Sequence, residues 1–186
     1  MREIRTPEEI IDFIREKYKD SILSSEIKER VQGLSDDVKL RDIWLTVERD
    51  VFRDLVETLH NEIDLLHISV VSPVDMGETV EVIYHFAIYY GVPGRECIIN
   101  IKVILPKNDL TIPTITDILP GVLFSELEMK QMMGINVIGL KDEGPLFLPD
   151  EFPDDFYPWR KDEKNIDNYI AKDFTINSEG NKNGDL

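Results

Sequence analysis

The sequence predicts an α+β fold: one mainly antiparallel sheet with helices on one face, followed by an extended C-terminal arm. Three observations carry this. Apolar residues recur at helical spacing near the N-terminus and again from Phe52 to Leu59. They alternate with a period of two through Val80–Ile88 and Cys97–Val103. Beyond Gly134 regular patterning gives way to a proline-spaced aromatic stretch, LPDEFPDDFYPWRKD.

Thr6-Pro7-Glu8-Glu9 opens the first helix as an N-cap, a proline at the first helical position and an acid three residues after the cap. Ile10, Ile14 and Tyr18 then share one face, so the helix runs to about Lys19. No period is legible around Val31-Gln32-Gly33. Ile43–Val47, rich in branched and aromatic side chains, reads as a strand. Asp50 is the expected cap of a second helix, whose stripe is Phe52, Leu55, Val56 and Leu59. Leu66–Val71 adds a strand that turns at Pro73–Gly77, and Gly91-Val92-Pro93-Gly94 joins the two alternating runs as a long hairpin. Pro106 to Pro120 reads as a linker, and a short helix over Leu123–Met133 stops at Gly134. The expected division is a core domain over 1–105, a linker, helix and arm over 106–162, and a polar, mobile tail over 163–186.

Composition narrows the function classes. With 42% hydrophobic and 31% charged residues, the 186-residue chain has enough apolar content for a folded core. A formal charge of −16 disfavours nucleic acid and anionic lipid as partners and favours a protein. No apolar run reaches the roughly 18 to 20 residues of a membrane span, and MREIRTPEEI has no apolar signal core, so the expected compartment is the cytoplasm.

Candidate chemistry is thin. Glu126 and Glu128 lie about 200° apart around a helix axis and cannot chelate one ion together. The acids of Asp142-Glu143 and Asp150–Asp155 lack the spacing and glycine of a calcium loop. His60, His67 and His85 are scattered, and the single Cys97 falls on a strand's apolar face, where it reads as a small core residue. Met129, Met132 and Met133 form either a soft docking surface or helix core, and core is expected. No cofactor is expected in this chain. Phe147, Phe152, Phe156, Tyr157 and Trp159 have too little local structure to bury one another; they either fold back on their own domain or lie across a partner, and the second is expected.

From Glu81 to Asp162 the chain resembles the C subunit of NADH:quinone oxidoreductase, the thirty-kilodalton subunit of respiratory complex I, and its counterparts in energy-converting membrane-bound hydrogenases. The residues that carry the resemblance are Val82-Ile83-Tyr84-His85, then Pro113-Thr114-Ile115-Thr116-Asp117-Ile118 with Pro120-Gly121. Glu126-Leu127-Glu128 with Gly134-Ile135, Leu148-Pro149-Asp150, and Tyr157-Pro158-Trp159-Arg160-Lys161-Asp162 follow in order. Leu127 replaces the arginine of the family's Glu-Arg-Glu signature, and Gln131 and Met133 replace its following aspartate and aromatic. Leu140-Lys141-Asp142-Glu143-Gly144-Pro145 stands where complex I versions carry His-Pro-Asp-Leu-Arg-Arg, removing bidentate guanidinium contacts. These departures favour a diverged hydrogenase or sulfur reductase subunit.

The resemblance implies a non-catalytic structural subunit on the cytoplasmic side of the membrane, attached only through its complex. It would brace a large subunit related to the nickel–iron hydrogenase catalytic chain, the D-type subunit of complex I, beside iron–sulfur subunits. Iron–sulfur clusters and, in a hydrogenase, nickel–iron would belong to those partners. The expected interface residues are Glu126, Glu128, Phe152, Tyr157, Trp159, Arg160 and Lys161, with Asp117, Pro120, Gly121 and Gly134 shaping the backbone. A free-standing acidic adaptor or assembly factor is the alternative, and an autonomous metal-dependent hydrolase has little support.

Overall fold

A computed structural model describes residues 4–32, 38–63, 65–141, 144, 146–149, 152–153 and 155–162. The expected tail over 163–186, and Asp142, Glu143 and Asp150, lie outside the described residues. In chain order the elements are α1 (Pro7–Tyr18), β1 (Ile22–Gln32), β2 (Val38–Val47), α2 (Arg49–Glu62), β3 (Leu65–Asp75), β4 (Thr79–Ile88), β5 (Cys97–Pro106), β6 (Thr111–Pro113), α3 (Leu123–Met133) and β7 (Asn136–Ile138). Five strands form one sheet in the order β1-β2-β5-β4-β3, antiparallel except where β2 and β5 run parallel at its centre. The fold is α+β, with a mainly antiparallel sheet, as the alternating and helical periods predict.

α1 begins as the sequence dictates. Thr6 Oγ1 accepts from the Glu9 amide at 3.3 Å, and Glu9 Oε2 accepts from the Thr6 amide at 2.7 Å, so two orphan donors of the first turn are satisfied. The second helix departs from expectation. It starts at Arg49 with Glu48 at the cap position and no side-chain capping bond, so Asp50 is already inside the first turn. The whole of β1 is an element that the sequence did not announce.

The core lies between the helices and one face of the sheet. Ile10 and Ile14 of α1 and Phe52, Leu55 and Leu59 of α2 meet Val80, Val82, Tyr84 and Phe86 of β4 and Ile99, Ile101 and Val103 of β5, all fully buried. Phe52 and Tyr84 pack with ring centroids 4.6 Å apart. Cys97 is buried too, and burial pushes its thiol up to about 11, so it stays a neutral core group at physiological pH. Residues 106–120, read from sequence as a linker, are not a solvent-run connection. They supply β6, and Leu110, Ile112 and Ile115 join the same apolar cluster as the sheet. Val122, Met129, Met133, Ile135 and Val137 extend it, so α3 and β7 close over the end of the sheet next to β3.

Candidate partner interface

Two arginines on the polar side of α2 hold the segment that leads into α3. Arg53 donates to the Thr114 carbonyl at 2.7 Å and forks onto both carboxylate oxygens of Asp117 at 2.7 and 2.5 Å. Arg49 donates to Asp109 and to the Thr111 hydroxyl, each at 2.7 Å. The hydrogen bonds from Arg53 hold the Asp117 carboxyl below the usual carboxylate range. Asp117 therefore shapes the chain through a helix some sixty residues upstream, its bond to Arg53 spanning 64 residues. Composition gave no reason to single out Arg49 and Arg53; their i, i+4 spacing opposite the apolar stripe of α2 is the signal that could have found them.

Glu126 is not a surface residue. It is 0% exposed, and its carboxylate accepts from the Thr114 hydroxyl at 2.5 Å, the Ile115 amide at 3.1 Å and, more weakly, the Tyr84 hydroxyl at 3.4 Å. The expectation that it faces a partner is corrected by this placement: the carboxylate ties α3 to the preceding segment and to the sheet core. Glu128, two residues on, is half-buried. Gly121 also departs from its expected role. Its φ is ordinary, and a Cβ there would meet only Ile68 Cγ2 at 3.7 Å, so neither conformation nor space demands glycine. Pro120 does open a 3₁₀ turn, Pro120–Val122, that feeds α3.

Gly134 is demanded on both counts. It ends α3 at φ 70°, ψ 31°, and a Cβ would lie 2.5 Å from Arg160 Nη2 and 2.6 Å from Tyr157 Cζ. The arm closes on this point. The Trp159 amide donates to the Met132 carbonyl at 3.0 Å, Arg160 Nε donates to the Met133 carbonyl at 2.8 Å, and the Arg160 guanidinium sits 4.2 Å over the Tyr157 ring. Phe156 is buried and meets Phe152 edge-on, centroids 5.6 Å apart. The expectation that Arg160 reaches outward to a partner's acids is thus corrected: it caps the orphan carbonyls of α3. The end of the arm folds back on its own domain. Gly134→Ala is expected to cost about 2 kcal/mol in urea unfolding and to speed chymotrypsin cleavage after Trp159, because the new methyl must displace both arm side chains.

Past Arg160 the chain is clipped to the β3–β4 turn. Asp75 Oδ2 accepts from the Lys161 amide at 2.9 Å, and Lys107 Nζ pairs with both Asp75 and Asp162 at 2.9 Å. Asp75 and Lys107 carry no motif. Their partners lie too far along the chain for a local pattern to announce them.

With those groups satisfied internally, the module turns apolar side chains outward. Phe124 on α3 is 60% exposed and Trp159 43%, and Ile138, Leu146 and Phe147 are exposed as well. Nearby, an open groove of about 590 Å³ is lined by Leu123, Ile138, Pro113 and Pro120 together with the charged Arg53, Asp117 and Lys141. Tyr157 and Phe152 are half-buried and Lys161 exposed. Among the described residues no group of three His, Cys, Asp or Glu side chains is gathered to hold a metal ion, and no helix is long and apolar enough to cross a membrane. The arrangement can present a shaped, partly apolar surface.

Residues 45–168 match the family described as the respiratory-chain NADH dehydrogenase, 30 Kd subunit. The chain belongs to this family. The matched span starts inside β2 and takes in α2, β3 to β5, α3 and the arm, with α1 and β1 before it. Membrane-bound hydrogenase subunit beta of Pyrococcus furiosus is 29% identical over 160 residues, 83% of this chain and 91% of that one. Formate hydrogenlyase subunit 5 of Escherichia coli is 38% identical over 81 residues, but these are 42% of this chain and 14% of that one. Hydrogenase-4 component G of Escherichia coli is 29% identical over 124 residues, 64% of this chain and 21% of that one. A chain of the membrane-bound sulfane sulfur reductase, an archaeal respiratory membrane complex, superposes with a TM-score of 0.66 at 22% identity, covering 96% of this chain and 97% of that one. A trypsin-resistant fragment of Nqo5 gives 0.54 at 20% identity over 73% of this chain and 97% of the fragment. The two structural likenesses establish the shared fold alone.

Proposed function

We propose that this chain is a non-catalytic structural subunit of a complex I-like, membrane-associated oxidoreductase of the energy-converting hydrogenase or sulfur reductase kind. It braces the large subunit related to the nickel–iron hydrogenase catalytic chain, on the cytoplasmic side, and the metal centres belong to its neighbours. The observation that carries the reading is the alignment with membrane-bound hydrogenase subunit beta, which runs through nearly the whole of both chains. Two further facts support it. A region like this one makes up only 14% and 21% of the two longer hydrogenase-type relatives, so there it is covalently joined to much larger polypeptides, as a permanent neighbour would allow. Asp117, Glu126 and Arg160 also spend their hydrogen bonds within the chain, while Phe124, Ile138 and Trp159 are left exposed, a chemistry suited to docking rather than turnover.

The test is recovery of the native assembly. Tagged at its N-terminus and extracted from membranes in mild detergent, the chain should elute in constant ratio with iron-containing chains and hold them through moderate salt. Elution alone from the soluble fraction overturns the reading and favours the adaptor. Phe124→Asp is expected to lower recovery of the partners by about tenfold, with the chain's own stability changed by less than about 1 kcal/mol, since Phe124 is 60% exposed.

A further inference from the structure

Three consecutive residues at the end of α3 hold the arm. The carbonyls of Met132 and Met133 take its far end, at Trp159 and Arg160, and the side chain of Gln131 takes its near end. Gln131 Nε2 donates to the Gly144 carbonyl at 3.2 Å, while Oε1 accepts from the Leu146 amide at 3.2 Å and the Phe147 amide at 2.9 Å. A carbonyl can only accept and a backbone amide can only donate, so all three bonds agree on one orientation of the side-chain amide. They fix the backbone around 144 and 146–147 while the Leu146 and Phe147 side chains stay exposed. An apolar pair is thus held outward by polar bonds.

Helix geometry says where this pair stands. Gln131 follows Phe124 by seven residues, which returns it to within about 20° of the same face of α3, about 10 Å further along the axis. Glu128 lies between them on that face and is half-buried. Among the described residues its carboxylate has no hydrogen-bond or ion partner. The face therefore reads apolar, acidic, apolar: Phe124, then Glu128, then the pair that hangs on Gln131.

We infer that Gln131 is a positioning residue for docking: it presents Leu146 and Phe147 on the Phe124 face of α3, where one partner surface, apolar around a basic side chain set against Glu128, covers them together. This rests on the subunit reading above and names the contact. The partner's chemistry follows from Glu128. Covering Phe124 and the pair also covers the carboxylate between them, and an acid buried without a partner is strongly unfavourable, so the covering surface has to bring a cation. Size points to a large partner, since two side chains fall far short of the roughly 800 Å² that each side of a stable interface buries. A second copy is disfavoured, because a twofold axis through this face would set Glu128 against its own twin in two chains that each carry −16.

The test uses the full chain, free and in the purified assembly. Gln131→Met, similar in length but unable to make any of the three bonds, is expected to speed hydrogen exchange of the Leu146 and Phe147 amides several-fold and to lower partner recovery by about fivefold, with the free chain's melting curve in place. Gln131→Glu still accepts from both amides, so it should keep their slow exchange and hold recovery within about twofold of native. Glu128→Arg should lower recovery by about tenfold. Native recovery with Gln131→Met, or amides that exchange no faster in it, overturns the inference and leaves the subunit reading standing. So does an equal loss of recovery in Gln131→Glu with its amides still slow, which assigns Gln131 a direct contact instead of a positioning role. Undiminished recovery with Glu128→Arg overturns the basic partner surface. A free chain that sediments as a dimer, with Phe147→Asp returning it to monomer, assigns the face to a second copy and overturns the inference. If the native chain elutes without partners, the subunit reading fails and this inference fails with it.

Discussion

Asp75→Asn is expected to destabilise the chain by about 3 kcal/mol and to release the end of the arm. Asp75 is 3% exposed, and its carboxylate collects three donors: the Gly77 amide at 2.7 Å, the Lys161 amide at 2.9 Å and the Lys107 ammonium at 2.9 Å. Asparagine keeps one acceptor oxygen, and its amide group would point donors at donors, while Lys107 would keep only the exposed Asp162 as an ion partner. Burial pushes the Asp75 carboxyl up, yet Lys107 and the two amides outweigh it and bring it down to about 2. A folded value below the ordinary 3.8 stabilises the native state above about pH 4, and that contribution, about 2 kcal/mol, is lost as pH falls toward 2. Urea titrations from pH 6 to 2 should show a steep acid limb in the native chain and a shallower one in Asp75→Asn. Chymotrypsin should cut the variant after Trp159 several times faster at neutral pH. An unchanged acid limb, or an arm cut no faster than before, would show that the clip does not hold the arm.

Local chemistry was legible; long-range pairing was not. Thr6-Pro7-Glu8-Glu9 satisfies its own amides within four residues, and the alternation of β4 and β5 needs only a sheet with one buried face, so both could be read directly. β1 escaped because it is an edge strand. Its Glu26, Lys28, Glu29 and Arg30 are exposed, and such charged edges, which protect a sheet from unwanted pairing, erase the apolar alternation that marks a strand. The start of α2 escaped for a related reason: the Glu48 amide is taken by the Ser21 carbonyl at 3.0 Å, a contact that no capping side chain advertises.

The candidate site divides along the same line. Gly134 could be read because a helix end in the left-handed region favours glycine wherever it occurs. Met129 and Met133 are core, as composition suggests, and Met132 is half-buried. The arm was a choice between covering its own domain and covering a neighbour. What decided it for Arg160 and Lys161 is a carbonyl pair at the end of α3 and a carboxylate 86 residues upstream of Lys161, neither of which leaves a trace in the arm's own sequence. Trp159 and Phe147 remain exposed, so part of the surplus aromatic surface is still available to a partner.

Glu126 gives the sharpest test of how the signature helix is held, because two substitutions should behave oppositely. Glu126→Ala is expected to cost about 3 to 4 kcal/mol, since it opens a void and strips the partner from the Ile115 amide and the Thr114 and Tyr84 hydroxyls, all of them in the interior. Glu126→Gln should stay within about 1 kcal/mol of the native chain. Its oxygen can accept from Ile115 and Tyr84, and its amide can donate to Thr114 Oγ1, which as a hydroxyl also accepts. Burial pushes the Glu126 carboxyl up, against hydrogen bonds from Thr114, Ile115 and Tyr84 that pull it down, and the net direction is upward. A folded value above the unfolded one means that this group's contribution is whole below about pH 4.5 and declines as pH rises through the folded value. The glutamine cannot ionise, so its stability relative to the native chain should improve from pH 4 to 8 in denaturant titrations. If glutamine costs as much as alanine at every pH, the carboxylate's charge is what holds α3 in place, and the hydrogen-bond account of this helix is wrong.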